Sequence, residues 1–425
     1  MNFKKTTLPN GLRVITVPAK GNPSVTVMVL VETGSNYESK EENGLSHFLE
    51  HMCFKGTTNR HTSREISMEL DSLGAENNAF TSHEMTGYWA KAEKKHFGKI
   101  LEVVSDIYLN PTLPAPDLEK ERGVILQEIS MYEDRPQSKV WQELGTLLYG
   151  DTPAGRPVAG EPENIKKLSR EAFINYRTAH YIAPKTIVIV AGDVNEKKAL
   201  QEIKKHFKNI PTGKKIGKLP VKEKQVAPGM RIYKKKTDQT HMVIAFRAFH
   251  AGDKRAPALH MLSSVLGEGM SSRLFQKMRE EMGACYYVRS GIEEYTDHGT
   301  FSISTGIEAK RAEEVVKALL EECEKLRDSL VPEEELNKAK EHFIGQMYMH
   351  LETSDSMAEF YADEVITAKE LKTPIELEKE ARQVTAEDIR RVAREIFKND
   401  NLNLAIVGNI SNVNGLKKVL SLKQS

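Results

Sequence analysis

The chain has 425 residues with 61 Lys and Arg against 60 Asp and Glu, so its formal net charge at pH 7 is +1. This balance excludes the strongly basic proteins that bind nucleic acid or membrane surfaces through a global field. No apolar run reaches the ~18 residues of a membrane span, the N-terminal residues lack the apolar core of a signal peptide, and 3 cysteines indicate a reduced compartment. We therefore expect two or three domains in a cytoplasmic protein without nucleic-acid or membrane partners.

The first element that carries chemistry is a short helix around His47, Glu50 and His51. Residues four apart on an α-helix lie on one side, about 6 Å apart along the axis, so both imidazoles can bind one metal ion. Glu50 lies beside them and supplies a base for a water molecule on that metal. The order H-x-x-E-H is the inverzincin signature. The alternative is an amphipathic helix that merely exposes two histidines.

The residues around this motif favour a helix with one side in a core. Ser46 or Asn43 is a candidate N-cap, and Gly56 is a candidate end of the helix. We expect Cys53 to lie in the core, because it is two residues from His51 and so on another side of the helix. The apolar stripe consists of Phe48, Leu49, Met52 and Phe54.

The next element of interest is residues 74–83, which read as a turn followed by a strand. From its composition alone this segment is equally well an ordinary edge strand or a strand that binds a ligand.

A long helix follows at about residues 116–133, with Glu121 and Glu128 on nearly the same face because they are two turns apart. A hydrolytic zinc site needs a third protein ligand and an open fourth position. Glu128 is the candidate ligand, and Glu121 is then a residue that orients the ligands. Without the two histidines, either glutamate would be read as a solvated helix carboxylate.

The second half of the chain repeats the first. Residues 168–173 and 384–389 both resemble capped helix starts, 216 residues apart, and each leads to an apolar strand ending in glycine, at 186–194 and 403–410. Residues 210–229, rich in Lys, Pro and Gly, separate the halves. We therefore predict an N-terminal domain at 1–209, a linker at 210–229 and a homologous C-terminal domain at 230–425.

The predicted fold class is α+β, with an antiparallel sheet packed against α-helices in each domain, because strands and helices do not alternate strictly. The second copy does not repeat the metal residues. Gln346 stands where the repeat would place Glu128, while Ser263 and Gly267 correspond to the two histidines. The metal-binding domain is therefore the N-terminal one, and the C-terminal domain is expected to contact substrate.

These residues resemble the pitrilysin/insulinase family of zinc metallopeptidases, and in particular its half-length, processing-peptidase-like bacterial members. The resemblance rests on H-x-x-E-H, on the 76 residues between His51 and Glu128, and on the strings at 44–57 and 78–81. It implies one Zn²⁺ per chain held by His47, His51 and Glu128. It further implies that Glu50 is the general base on the zinc-bound water and that Glu121 is an acidic residue behind the metal.

Further site residues are implied by the resemblance alone. Arg279 and Tyr286 match an Arg and a Tyr separated by six residues in the family's C-terminal half. In that family the Arg holds a substrate carbonyl and the Tyr donates to the oxyanion; Tyr287 is the alternative donor here. The segment Asn78, Ala79, Phe80 and Thr81 matches an edge strand to which the substrate adds.

The implied function is a zinc-dependent endopeptidase that cuts peptides or unfolded protein segments in a chamber between its two domains. The expected assembly is a homodimer, with a heterodimer of related subunits as the alternative. A second class of function stays open, since some relatives of this family are non-catalytic, peptide-binding subunits of a heterodimeric processing peptidase.

Overall fold

A computed structural model describes residues 2–367 and 370–423. Two compact units are present, each built from several stretches of the sequence. Unit 1 contains Met1–Ser130, Arg156–Leu219 and Met349–Thr373. Unit 2 contains Met131–Gly155, Pro220–Tyr348 and Pro374–Ser425.

Unit 1 contains a six-stranded sheet in the order β1-β2-β6-β3-β5-β4. Neighbouring strands are antiparallel except β2 and β6, which are parallel. This arrangement leaves β4 at one edge of the sheet. The strands are β1 Lys4–Thr7, β2 Arg13–Pro18, β3 Ser24–Val31, β4 Glu76–Thr81, β5 Thr86–Glu93 and β6 Thr186–Gly192.

Unit 2 contains a five-stranded sheet in the order β7-β11-β8-β10-β9, with β7 and β11 parallel and the other pairs antiparallel. Apart from β1 this is the order and direction of the first sheet, so the predicted duplication and the α+β class are confirmed. Each sheet contains one parallel pair, which the antiparallel prediction missed. The strands are β7 Gly229–Tyr233, β8 Thr240–Ala248, β9 Cys285–Glu294, β10 Gly299–Ile307 and β11 Leu402–Val407.

Some helices pack directly on the sheets and others pack on those helices. None of the helices in the described part of the chain is long and apolar enough to cross a membrane. They are α1 Leu45–Cys53, α2 Ser63–Ser72, α3 Phe97–Leu109, α4 Ala115–Asp134, α5 Pro136–Tyr149, α6 Pro162–Ile165, α7 Arg170–His180, α8 Glu196–His206, α9 Ala256–Gly267, α10 Ala312–Asp328, α11 Glu333–His350, α12 Ser354–Thr367, α13 Pro374–Gln383, α14 Ala386–Ile396 and α15 Val413–Val419.

Two helices pack on the sheet encoded by the other half of the sequence. Val140 and Leu144 of α5 are buried against β8 and β11 in unit 2. Ala358 and Tyr361 of α12 are buried in unit 1 against strand residues that include Met28. The reason is that the central strands are apolar on both faces and need cover on each side. The units therefore differ from the continuous ranges 1–209 and 230–425 by these exchanged segments, while the predicted linker 210–229 contains no helix or strand before β7.

The face of the first sheet opposite α12 carries the elements of the candidate site. Valines of β2 and β3 pack there against α1, α3 and α4 in one apolar cluster. Phe48 and Met52 of α1 are fully buried in it, as is Cys53, which agrees with its predicted place in the core. Helix α1 is thereby fixed along one side, and its other side carries the polar motif.

Candidate metal centre

Helix α1 begins at a glycine whose conformation is required. Gly44 has φ +97, and a Cβ built on it would lie 2.7 Å from the Cα of Gly160. Because Gly44 has no side chain to cap the helix, the carboxylate of Glu38 does so. Glu38 accepts from the backbone N–H of Gly44 at 2.8 Å and of Ser46 at 2.7 Å. A negative group at this end also interacts favourably with the helix dipole.

The predicted caps of α1 are therefore wrong. The Ser46 hydroxyl lies inside the first turn, 2.7 Å from the hydroxyl of Tyr176, and the Asn43 amide donates to Glu38 instead of capping. The helix ends at Cys53, before Gly56, whose φ of +145 turns the chain three residues later. The physical reason is that the buried carboxylate of Glu38 has two oxygens, each of which accepts from one backbone N–H group at the start of α1.

Three predicted ligands converge on one point. The Nε2 atoms of His47 and His51 each lie 3.7 Å from Oε2 of Glu128. One ligand atom from each residue lies within 4.8 Å of the others, and among the described residues this is the one such group of three. Ligand atoms ~2.0–2.1 Å from a tetrahedral ion are ~3.4 Å apart, so the spacing fits a single ion. Two imidazoles and one carboxylate are also the donor set of a known class of hydrolytic zinc site.

Glu121 lies behind His51. Its Oε1 is 2.9 Å from Nδ1 of His51, and its Oε2 is 2.6 Å from Nζ of Lys55. Burial alone would raise the pKa of Glu121, but the bonds from His51 and Lys55 lower it below the ordinary value. Glu121 is therefore an anionic acceptor that directs Nε2 of His51 towards Glu128. The sequence predicted this glutamate and missed Lys55, although its position four residues after His51 places it on the same side of the chain.

The two histidines have different environments. Burial, followed by the charge of His51, lowers the pKa of His47 to about 4, so its imidazole is neutral, as a metal ligand must be. Burial alone would lower the pKa of His51 as well, but the hydrogen bond with Glu121 and the nearby carboxylates raise it. Nδ1 of His47 is buried and has no hydrogen-bond partner among the described residues. Only His51 therefore has an anionic partner behind its ring in this part of the chain.

The predicted base, Glu50, lies beside the three ligands. Its Oε2 accepts a hydrogen bond of 2.5 Å from the hydroxyl of Thr81, the last residue of β4. Burial raises the pKa of Glu50, while the bond from Thr81 and the charge of His51 oppose the rise. A carboxylate with a raised pKa suits a group that must take and return a proton near neutral pH.

The predicted edge-strand residues divide between the two faces of β4. Thr81 contacts the base, and Ala79 packs against the apolar cluster that contains α1. Phe80 points to the opposite face, where it packs in the cluster covered by α12. Asn78 is exposed, and its side-chain oxygen accepts from the backbone N–H of Ala79 at 2.9 Å. Phe80 is thus half-buried on the face away from α1, which the segment's resemblance to a substrate strand did not reveal.

Arg279 and Tyr286 lie in unit 2, where Tyr286 is part of β9 and Arg279 precedes that strand. Arg279 Nη1 donates to the backbone oxygen of Tyr286 at 2.9 Å, and its guanidinium lies 5.0 Å from the centre of the Tyr286 ring. Tyr286 is 73% exposed. The hydroxyl of Tyr287 instead lies 3.0 Å from Nδ1 of His241. Of the two tyrosines, Tyr286 is therefore the one whose hydroxyl is open to a ligand.

The chain is similar to known proteins over most of its length. The family model described as "Insulinase (Peptidase family M16)" matches residues 13–162, and "Peptidase M16 inactive domain" matches residues 167–343. The chain is 33% identical over 402 residues to "Uncharacterized zinc protease YmxG" of Bacillus subtilis, covering 94% of this chain and 96% of that protein. It is 32% identical over 397 residues to an "Uncharacterized zinc protease" of Rickettsia felis, covering 93% and 95%.

Two solved structures show the same fold. A protease from Helicobacter pylori superposes with a TM-score of 0.88 at 24% identity, covering 96% of this chain and 99% of that one. A "peptidase M16 inactive domain" from Pseudomonas fluorescens has a TM-score of 0.88 at 18% identity, with 100% of both chains covered. The relatives match nearly the full length of this sequence, and the resemblance inferred from its motifs is confirmed. The chain belongs to the insulinase family of peptidases, peptidase family M16.

Proposed function

We propose that the chain is a zinc-dependent endopeptidase that hydrolyses peptides or unfolded protein segments. The observation that carries this proposal is the convergence of one ligand atom from each of His47, His51 and Glu128 within 4.8 Å of one another. The names of the relatives, which call those proteins zinc proteases, support the choice of zinc and of peptide substrates.

In this proposal the three ligands bind one Zn²⁺, and Glu50 acts as general base. When bound, zinc supplies Lewis acidity, which lowers the pKa of a water molecule towards ~7 and polarises a carbonyl group. Glu50 takes a proton on its carboxylate as water attacks the scissile carbonyl, and then gives that proton to the leaving amide nitrogen. Thr81 donates to Oε2 of Glu50 and so holds the carboxylate in place during both transfers.

The substrate is proposed to bind along β4 as an added strand. The N–H of Ser82 donates to the oxygen of Met85 at 2.8 Å, where the chain turns from β4 to β5. Because bonded and non-bonded pairs alternate along an antiparallel ladder, Thr81 and Ala79 then turn their backbone N–H and C=O away from β5. The bond from Ala79 N–H to the Asn78 side chain agrees with this direction. These groups would pair with any extended backbone, so the preference for side chains would be weak.

Arg279 and Tyr286 are proposed to assist from the C-terminal half. The exposed hydroxyl of Tyr286 would donate to the oxyanion that forms during attack, and Arg279 would hold a substrate carbonyl. Loss of one oxyanion donor typically lowers kcat about 100- to 1000-fold. Tyr286→Phe should show such a loss, with Tyr287→Phe as the matched control; a larger loss in the control would reverse the assignment.

A second function is favoured by one observation. The C-terminal half matches the "Peptidase M16 inactive domain" model, and one protein of the same fold bears that title. The chain would then be a non-catalytic, peptide-binding subunit that depends on a related partner. A complete set of ligands and a base argues for the active enzyme, for which we propose a homodimer. Light scattering on the purified chain, with and without added peptide, distinguishes a homodimer from a monomer that needs another subunit.

A quenched-fluorescence peptide assay tests the activity. We expect cleavage that stops when a chelator removes the metal and returns when zinc is added. Glu50→Gln should retain zinc but lose turnover by about 100-fold or more, because only proton transfer is removed. A Glu50→Gln variant with full activity would refute the assignment of the base. Peptide binding without cleavage in the zinc-loaded wild type would support the subunit interpretation.

A further inference from the structure

We propose that Lys55 is a positioning residue for the metal: through Glu121 it fixes the ring of His51 with Nε2 presented to the ion. The proposal rests on the metal site proposed above, and it concerns a residue that the H-x-x-E-H pattern does not include. It predicts that zinc affinity depends on a lysine that contacts neither the metal nor the substrate.

The contacts form a chain of three side chains. Lys55 Nζ lies 2.6 Å from Oε2 of Glu121, and Oε1 of Glu121 lies 2.9 Å from Nδ1 of His51. The side chains of Lys55 and Glu121 are 27% and 9% exposed. Each oxygen of this largely buried carboxylate thus contacts one nitrogen, and its plane cannot rotate without breaking one of the two contacts.

This geometry decides which nitrogen of His51 meets the ion. When Glu121 accepts from Nδ1–H, the proton of the neutral ring is on Nδ1 and the lone pair of Nε2 is free for a metal. Removal of Lys55 would leave Oε2 of Glu121 buried without its cationic donor. The carboxylate would then be free to rotate towards water or another donor, and the ring of His51 would lose its fixed orientation.

The backbone around Lys55 is itself held in place. Lys55 follows the end of α1, where its N–H donates to the oxygen of Met52 at 3.1 Å. Gly56 then turns the chain so tightly that a Cβ would lie 2.5 Å from the oxygen of His61. The hydroxyl of Thr57 donates to the buried carboxylate of Asp106. The segment Lys55-Gly56-Thr57 therefore presents the lysine to Glu121 from a fixed point.

Among the described residues, His47, the other histidine of the site, lacks the hydrogen bond that holds the ring of His51. Nδ1 of His47 has no hydrogen-bond partner in the part of the chain that the structure describes. Its ring is held by burial, whereas the ring of His51 is held by Glu121 and, through it, by Lys55. Loss of the lysine would therefore act on the ligand whose orientation depends on hydrogen bonding.

The test is the zinc dissociation constant of the full chain, measured by competition with a chromophoric chelator at fixed pH. Lys55→Met keeps the length of the side chain and removes its charge, and we expect about 10-fold weaker binding, at the low end of the effect of outer-shell partners. Lys55→Arg restores a cationic donor and should recover most of the affinity. Lys120→Met is the matched control, because Lys120 is 75% exposed and contacts Asp117. The zinc affinity of this variant should equal that of the wild type.

The same Lys55 substitution in a Glu121→Ala variant shows whether the lysine acts through Glu121. In Glu121→Ala, where the relay is already cut, Lys55→Met should cause no further loss of affinity. Equal affinity of Lys55→Met and the wild type overturns the proposal, as does an undiminished 10-fold effect in the Glu121→Ala background. Should Lys55→Met fail to fold, as judged by its thermal melt, Lys55→Gln is measured in its place with the same expected loss. A wild type that binds no zinc would instead refute the proposed metal site itself.

Discussion

At the scale of single residues, the candidate centre places two carboxylates in opposite environments. Burial raises the pKa of Glu50, whereas Glu121 has its pKa lowered because the bonds from His51 and Lys55 outweigh its burial. One carboxylate is thereby suited to carry a proton and the other to remain an anion, a separation that agrees with the roles proposed for them. The sequence predicted both residues from the helical spacing, but not Thr81 or Lys55 as their partners.

The bond from Thr81 to Glu50 leads to a test of positioning. Thr81→Val has nearly the same shape but no hydroxyl, so Glu50 loses the donor that holds its Oε2. We expect kcat for a peptide to fall about 10-fold from lost orientation, with KM and zinc content little changed. Thr81→Ser should restore kcat. An unchanged kcat in Thr81→Val, or a loss that Ser does not restore, would count against this role.

At the scale of elements, the decisive feature is how α1 begins. Residues 168–173 and 384–389, predicted to be capped helix starts, do begin α7 and α14, with Ser169 and Thr385 as the N-caps. The caps of these two helices could be read from the sequence because cap and helix are adjacent in the chain. The cap of α1 could not, since Glu38 reaches it from a separate turn, and local propensity contains no information about such a contact.

Glu38 should make stability depend on pH. Burial raises the pKa of Glu38 from 4.5 to about 7, although the N–H groups of Ser46 and Gly44 oppose the rise. An acid whose pKa is raised on folding contributes stability that is fully present below pH ~4.5 and is lost as the pH rises through about 7. The difference amounts to about 3 kcal/mol for this fully buried group.

This dependence can be measured on the metal-free protein by urea unfolding between pH 5 and pH 8. Glu38→Gln cannot titrate, so the stability advantage of the wild type over this variant should shrink steadily as the pH increases. Glu41→Gln, at an exposed position in the same loop, is the control and should show no such trend. An advantage that is constant or grows with pH would contradict the assignment.

At the scale of the whole chain, the duplication and the fold class were predictable, while the exchange of helices was not. The repeat offset follows from local patterns such as the two apolar strands β6 and β11. An amphipathic pattern shows that a helix has an apolar face but not which sheet that face covers. For the same reason a continuous division of the chain separates α5 and α12 from the units that contain them.

Because α12 packs on the sheet of unit 1, a mutation in α12 should destabilise strands that are far from it in the sequence. Tyr361 is fully buried in unit 1, so Tyr361→Ala should cost about 3–5 kcal/mol, as for other large core side chains. Hydrogen exchange should become faster in β3 and β6, more than 150 residues earlier in the sequence, and remain slow in β8 and β11 of unit 2. Faster exchange in β8 and β11 alone would contradict the division into these units.

In the proposed site, His47, His51 and Glu128 together bind one zinc ion. The most direct measurement is the zinc content per chain, by mass spectrometry, of the wild type and of His51→Ala after dialysis against trace zinc. We predict one zinc per wild-type chain and none in His51→Ala. Stoichiometric zinc retained by His51→Ala would contradict the ligand set and the hydrolytic function built on it.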